Sequence, residues 1–254
     1  MSFARICQKE RFGERFVCFE LEEGDIASQA RPGQFVMVRP GFRVFDPLLP
    51  RPFAVLSAND DRFSLLFEVV GKGTELLSYL EVGDVVEVLG PLGRGFSLDA
   101  PFGILLAGGR GLVPLVFLAR EFEKRGIPFS FFLGVRKRKD LALLRLLEDL
   151  PRVLWSCEEA VSGGFCGTVL DLVGKCLERA LWRGARIYAC GPEGMLRELA
   201  TVFPGKEEDI EVALEARMGC GFGVCLGCAI PRRGGGYWHV CSDGPVFRLS
   251  EVVL

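Results

Sequence analysis

GILLAGGRGLVPLVFLAREFEKRG, residues 103–126, joins a short unbroken apolar run to a stretch whose apolar residues recur at helical spacing, with glycines at the join. An apolar run of that length reads as a strand covered on both faces, and a glycine-rich turn leading from it into a helix is one unit of a parallel sheet. The alternation continues with FSFFLGV (129–135) and DLALLRLLEDL (140–150), then RVLWSCEE (152–159) and TVLDLVGKCLERALW (168–182). ARIYACG (185–191), EGMLRELATVF (193–203) and DIEVALE (209–215) complete it. Five strands with four helices between them predict a doubly wound α/β parallel-sheet domain.

Upstream the rhythm differs. RFVCFELE (15–22), GQFVMVRP (33–40), RPFAVLSA (51–58), RFSLLFEVV (62–70) and DVVEVLGP (84–91) are short apolar or alternating runs punctuated by Gly, Pro and Asp. They predict a small antiparallel β-barrel, interrupted by a single helix in TELLSYLEVGD (74–84), with Leu76, Leu77 and Leu80 on one face and Thr74 capping its start. Beyond about Ala216 periodicity fades and cysteine and glycine dominate. The expected division is a barrel over 1–98, the parallel-sheet domain over 99–215 and a small segment over 216–254 with too little core to fold on burial alone, and therefore organised by a metal centre.

The chain has 254 residues, enough for two ordinary domains and an appendage. Its 31 basic and 33 acidic residues give a net charge of -2, spread without a basic field, so nucleic acid is not an expected partner. Apolar runs such as GLVPLVFLA fall short of the roughly 18 residues a membrane span needs. The N-terminal residues lack the basic, apolar and small-residue progression of a secretory signal, so the chain is expected in a reducing cytoplasm, where ten cysteines are not expected to be a disulfide set. An apolar fraction of 49% allows either two well-filled cores or a surface reserved for a partner.

GCGFGVCLGC (219–228) and Cys241 together give C-x4-C-x2-C-x12-C from Cys220, Cys225, Cys228 and Cys241. The first two spacings are those of plant-type [2Fe-2S] sites. Bare backbone at Gly219, Gly221, Gly223 and Gly227 lets a tight loop turn its thiolates inward and point N–H groups at sulfur. A structural zinc site with four cysteine ligands is the alternative, although it more often shows two separated C-x2-C knuckles. Cys7, Cys18, Cys157, Cys166, Cys176 and Cys190 have no ligand spacing and are expected to be mostly buried small apolar residues. His239 lies two residues before Cys241 and is expected to be a neighbour of the cluster. The run Arg136 to Lys139 is expected to be a solvated helix start.

Arg51 in RPFAVLS can form charge-assisted bonds to a pyrophosphate, and Gly73 and Thr74 at a helix start can add backbone donors for the same anion. LLAGGRGLVPL and YACGPEGML set Gly108, Gly109, Gly111, Gly191 and Pro192 in turns at the carboxyl ends of two parallel strands, where such sheets bind their ligands.

In order, GPLGRGF (90–96), ACGPEGML (189–196), EARMGCGFGVCLGC (215–228) and CSDGPVF (241–247) resemble the iron–sulfur electron-transfer subunit of type-B dihydroorotate dehydrogenase, within the ferredoxin-NADP reductase superfamily. The resemblance covers the whole chain. It implies FAD and a [2Fe-2S] cluster, hydride from NADH, and single electrons exchanged with an FMN-containing catalytic subunit, as a heterotetramer serving pyrimidine biosynthesis. It implies flavin contacts at Arg51, Pro52, Phe53 and Ala54, at Leu66, Phe67 and Glu68, and at Gly73 and Thr74. It implies a dinucleotide site at Gly108, Gly109, Gly111, Gly191 and Pro192, with Cys190 facing the nicotinamide as the catalytic position. A related subunit of an NADH-dependent ferredoxin:NADP oxidoreductase and a zinc-stabilised, non-catalytic binding module are the competing readings.

The chain departs from the pattern twice. Ala54 stands where the family usually has a hydroxyl, and Arg110 replaces a small or apolar residue in the glycine-rich turn, where it could bind a phosphate or obstruct the dinucleotide. Cys157, Glu158 and Glu159 stand where relatives that choose NADPH show Ser-Arg, and their carboxylates favour NADH.

Overall fold

Six strands form the N-terminal unit: β1 (Ser2–Phe12), β2 (Phe16–Glu22), β3 (Phe35–Arg39), β4 (Arg51–Asn59), β5 (Arg62–Glu68) and β6 (Val85–Leu92). In this computed structural model, which describes residues 1–39, 46–176 and 184–254, they close into an antiparallel barrel in the order β1-β2-β5-β4-β3-β6. Ile6, Val17, Phe19, Leu21, Val36, Val55, Leu65 and Val88 fill its interior. Pro40, the last residue of the predicted strand at 33–40, lies outside the described residues.

The barrel carries two helices where one was expected, α1 (Gly24–Gln29) and α2 (Lys72–Ser78). The first is too short for a periodic signal; Glu23 starts it by accepting a bond from the Ile26 N–H at 2.7 Å. The second begins two residues before Thr74, with Gly71 as its N-cap. Because glycine has no capping side chain, Thr74 does that work from inside, its Oγ1 accepting from the Val70 and Gly71 N–H groups at 3.0 and 3.2 Å.

The predicted parallel strands are β7 (Gly103–Gly108), β8 (Phe129–Val135), β9 (Val153–Cys157), β11 (Arg186–Cys190) and β12 (Ile210–Ala213), with a two-residue strand β10 (Phe165–Cys166) on one edge. The sheet order is β10-β9-β8-β7-β11-β12-β15, where β15 (Val246–Arg248) comes from the C-terminal segment and pairs antiparallel with β12. The remaining strands of that segment, β13 (Ala229–Pro231) and β14 (Tyr237–His239), form a hairpin.

Helix α3 (Leu112–Arg125) buries Leu112, Leu115, Val116, Leu118, Ala119 and Phe122 and ends at Gly126 with φ 68°, a left-handed cap that glycine adopts without strain. Fully burying each large side chain among these contributes about 1.5–3 kcal/mol. Helix α5 (Glu193–Val202) and α4 (Val169–Cys176) cover the other face; residues 177–182 of the third predicted helix lie outside the described residues.

The second predicted helix is corrected: Arg138–Leu147 is a run of 3-10 turns. Its position is set by tertiary contacts with the barrel, where Arg15 pairs with Asp140 at 2.7 Å and the Arg145 guanidinium lies over the Phe12 ring at 4.9 Å. Of the basic run, Arg136 and Lys137 lead into these turns, Lys137 as the N-cap, and Arg138 and Lys139 are their first two residues.

A second correction concerns the cysteines outside the ligand spacing. All ten cysteines are free, and of the six outside that spacing only Cys157 and Cys190 are buried. Cys166 sits on the exposed edge strand and Cys176 at the exposed end of α4.

Candidate functional site

Chain order in the sheet reverses between β7 and β11, so their carboxyl ends lie side by side, with Cys190 opposite Ala107. Ligands of open α/β sheets bind at such a switch point. The two turns touch there through bare backbone: a Cβ on Gly111 would meet the Cys190 carbonyl oxygen at 2.1 Å, and one on Gly191 would meet the Gly108 Cα at 3.0 Å. Side chains at those positions would force the turns apart. Gly109, at φ 55°, has open space where its Cβ would be.

Gly108, Gly109, Gly111, Gly191 and Pro192 all line one cleft of about 540 Å³, whose far wall is Ile230, Pro231, Val253 and Leu254. The second cleft, of about 400 Å³, lies between barrel and sheet. Its lining includes Arg51, Pro52, Phe53, Ala54, Leu66, Phe67, Glu68, Gly73 and Thr74, the complete predicted flavin set, together with Cys190. Strands β4 and β5 are neighbours in the barrel, which explains how residues 51–54 and 66–68 meet. A Cβ on Gly73 would lie 2.5 Å from Arg51 Nε, so the guanidinium rests on backbone that only glycine leaves bare. A cation over open backbone beside apolar walls suits an anionic, partly aromatic ligand, and FAD fits this set.

Cys190 reaches the flavin-side cleft from the end of β11. Burial pushes its thiol well above the ordinary thiol range; the Glu215 carboxylate adds to the rise and Arg110 opposes it. It is a neutral S–H at physiological pH.

Arg110 lines both clefts. Its guanidinium bridges Glu68 Oε2 and Glu215 Oε2, each at 3.2 Å. Burial lowers its affinity for a proton, but the two carboxylates outweigh that and hold the charge more firmly than usual.

The cysteine loop packs against the barrel. Gly221, at φ 85°, comes so close to β3 that a Cβ would meet Met37 Cγ at 2.4 Å. Among the described residues no group of three or more His, Cys, Asp or Glu side chains is arranged to hold a single ion. The cysteines approach as two pairs instead. Cys228 Sγ and Cys241 Sγ are 3.2 Å apart, and Cys225 meets Cys220 through both its thiol and its N–H, the latter at 3.4 Å.

Main-chain N–H groups already point at sulfur, Gly223 to Cys241 at 3.1 Å and Cys241 to Cys228 at 3.5 Å. Burial would raise the Cys220 thiol, but backbone donors of Cys225, Phe222 and Val224 bring it down to about 6. Burial and the Cys228 thiol push Cys241 up to about 12, so a metal centre binding there displaces a proton. A [2Fe-2S] cluster takes two protein ligands on each iron, and two pairs lined with N–H donors fit it.

The His239 ring faces Asp243, with Nδ1 3.5 Å from Asp243 Oδ2, and its main-chain N–H donates to the same oxygen at 2.7 Å. Glu159 accepts the Arg138 N–H at 2.8 Å, and Glu158 lies 4.0 Å from Arg136. Sequence reasoning missed Val113, Pro114, Ala213, Ala216, Met218 and Pro245 as part of the flavin-side wall. Most lie inside the quoted motifs, but as apolar residues they carry no ligand chemistry of their own, and only the packing of three chain segments brings them there.

Residues 215–253 match the family described as the iron-sulfur cluster binding domain of dihydroorotate dehydrogenase B. The dihydroorotate dehydrogenase B (NAD(+)) electron transfer subunit of Desulforamulus reducens is 41% identical over 243 residues, covering 92% of this chain and 91% of that protein. The same subunit of Bacillus caldolyticus is 38% identical over 238 residues, covering 90% of this chain and 89% of its own. Among solved structures, an NADH-dependent reduced ferredoxin-NADP oxidoreductase superposes with a TM-score of 0.82 at 27% identity, covering 100% of this chain and 90% of that one. A ferredoxin NADP+ reductase of Neisseria gonorrhoeae with bound FAD and NADP shares the fold, with a TM-score of 0.65 at 18% identity over 79% of this chain and 89% of that one. With more than a third of its residues shared with such subunits along nearly its whole length, the chain belongs to the family of dihydroorotate dehydrogenase B electron transfer subunits.

Proposed function

We propose that the barrel-side cleft holds FAD, that the switch-point cleft holds NADH, and that the cysteine loop holds a [2Fe-2S] cluster serving an FMN-containing dihydroorotate dehydrogenase catalytic subunit. When bound, the flavin takes up the hydride of NADH as an electron pair and the cluster passes electrons on singly. The chain's own residues bind and orient. Arg51 and the bare backbone at Gly73 hold the flavin's pyrophosphate, and Pro52, Phe53, Ala54, Leu66, Phe67 and Glu68 line its berth. Gly108, Gly109, Gly111, Gly191 and Pro192 leave room for the dinucleotide, and Cys190, on the wall of the flavin-side cleft, presents a neutral thiol where a nicotinamide would meet the flavin. Cys220, Cys225, Cys228 and Cys241 would hold the cluster.

One observation carries this reading: the flavin cleft and the cluster loop share a wall. Ala216 and Met218 line the cleft, and Cys220 follows two residues later. Around the cysteines Phe222, Val224 and Leu226 are more than half exposed, an apolar rim suited to a catalytic subunit that receives the electrons. Free cysteines throughout support a reducing cytoplasmic setting, and among the described residues no helix is long and apolar enough to cross a membrane. The carboxylate of Glu158 and the NAD(+) of the relatives' names support NADH as the coenzyme.

Purification from the native host tests the proposal. It requires about two irons and one FAD per chain, and an associated FMN protein that oxidises dihydroorotate. Zinc as the sole metal would reject the cluster, and a larger iron–sulfur flavoprotein in place of the FMN subunit would reject the partner.

A further inference from the structure

We propose that Arg110 is a direct ligand of the dinucleotide's pyrophosphate, and that the Glu215 carboxylate occupies that anion's place until the dinucleotide enters. The inference rests on the reading of the switch-point cleft as the dinucleotide site. Arg110 is the only residue with a side chain in the turn Gly108–Gly111 between β7 and α3. A pyrophosphate at that turn meets the amino end of a 14-residue helix. The guanidinium lies on the wall common to both clefts, with half of its side-chain surface in solvent.

Its two carboxylate partners are not equivalent. Glu68 is 13% exposed and is held a second time by Arg15 Nη1 at 2.8 Å. Glu215 is 67% exposed and belongs to no other ion pair among those of the described residues. Glu68 therefore anchors the guanidinium, and Glu215 is the partner an incoming anion displaces. The exchange substitutes one charge-assisted pair for another, so Arg110 remains satisfied in both states and is never buried alone. Without Arg110, Glu68 and Glu215 would present two carboxylates to an anionic ligand, and binding would weaken through repulsion as well as through the lost bond.

The opposite reading, in which Arg110 obstructs the cleft, predicts the opposite sign. ADP-ribose, which carries the pyrophosphate without the nicotinamide, separates them when titrated into the flavin- and cluster-loaded protein by calorimetry. Arg110→Ala should weaken ADP-ribose binding about tenfold or more and flatten its dependence on salt. Glu215→Gln, which frees the guanidinium from its competitor, should tighten binding several-fold. Opposite signs for the two variants cannot come from a purely structural ion pair, whose loss from either side would act alike. Unchanged or tighter binding in Arg110→Ala overturns the proposal, as does weaker binding in Glu215→Gln. A wild-type protein that binds neither ADP-ribose nor NADH overturns the dinucleotide reading and the proposal with it.

Discussion

Arg51 lies across Gly73, its Nε 2.5 Å from the position a Cβ would take. Alanine at residue 73 needs no unusual backbone and is the better helix former by about 1 kcal/mol, so Gly73→Ala should leave thermal stability intact. It should nevertheless displace the guanidinium and weaken FAD binding about tenfold, the worth of a charge-assisted bond. Arg51→Ala should do the same. Flavin fluorescence on titration of the deflavinated protein measures both, and a stable Gly73→Ala protein with normal FAD affinity would remove Arg51 from the flavin site.

Gly221 has two reasons to be glycine, its φ of 85° and its approach to Met37. Gly221→Ala should strain the loop by about 1–3 kcal/mol and reduce iron per chain, with flavin content unchanged. Gly227 is the control: its Cβ would lie at an ordinary 3.6 Å from Cys225 Sγ. Iron analysis of Gly227→Ala should match the wild type, and equal losses in both variants would contradict the argument.

Burial raises the thiols of Cys190 and Cys18, the latter to about 12 with help from Glu10 and Glu20. An unfolded thiol ionises near pH 8.5, so above that pH the unfolded chain has lost protons the folded chain keeps. Stability is then level below about pH 8 and falls as pH rises toward the folded-state values. Melting temperatures between pH 7 and 10 should trace this decline, with a shallower slope in Cys18→Ala. Because Cys190 stays neutral, NADH-dependent flavin reduction should show no rising limb near the ordinary thiol value; one would assign a role to its thiolate.

Glu211 is a buried joint between the two main domains. It accepts the N–H of Ser97, in the stretch that leads from the barrel to the sheet, at 2.9 Å, and faces Arg186 Nη1 on the neighbouring β11 at 3.5 Å. Glu211→Ala leaves a buried donor unpaired and should lower stability by about 1–3 kcal/mol, or several degrees in melting temperature. Visible absorption by flavin and cluster should persist. A melting temperature equal to that of the wild type would mean that the domains are joined elsewhere.

Much of this protein was determined locally. Periodicities of two and of about 3.6 residues separate barrel strands from strand–helix units, since each reflects which side chains one chain segment can bury. The proposed ligands Cys220, Cys225, Cys228 and Cys241 could be picked out from the sequence because ligand spacing is itself a local pattern. The 3-10 form of Arg138–Leu147 was not legible, because Asp140 and Arg145 answer to Arg15 and Phe12, more than a hundred residues away in the chain. Nor was the strand Val246–Arg248, whose place beside β12 makes the C-terminal segment part of the sheet. The role of Arg110 also depended on the tertiary structure. Its sequence neighbours show only that a charge stands in a glycine turn, and the carboxylates that hold it come from β5 and from the residues after β12, brought together only when barrel and sheet pack.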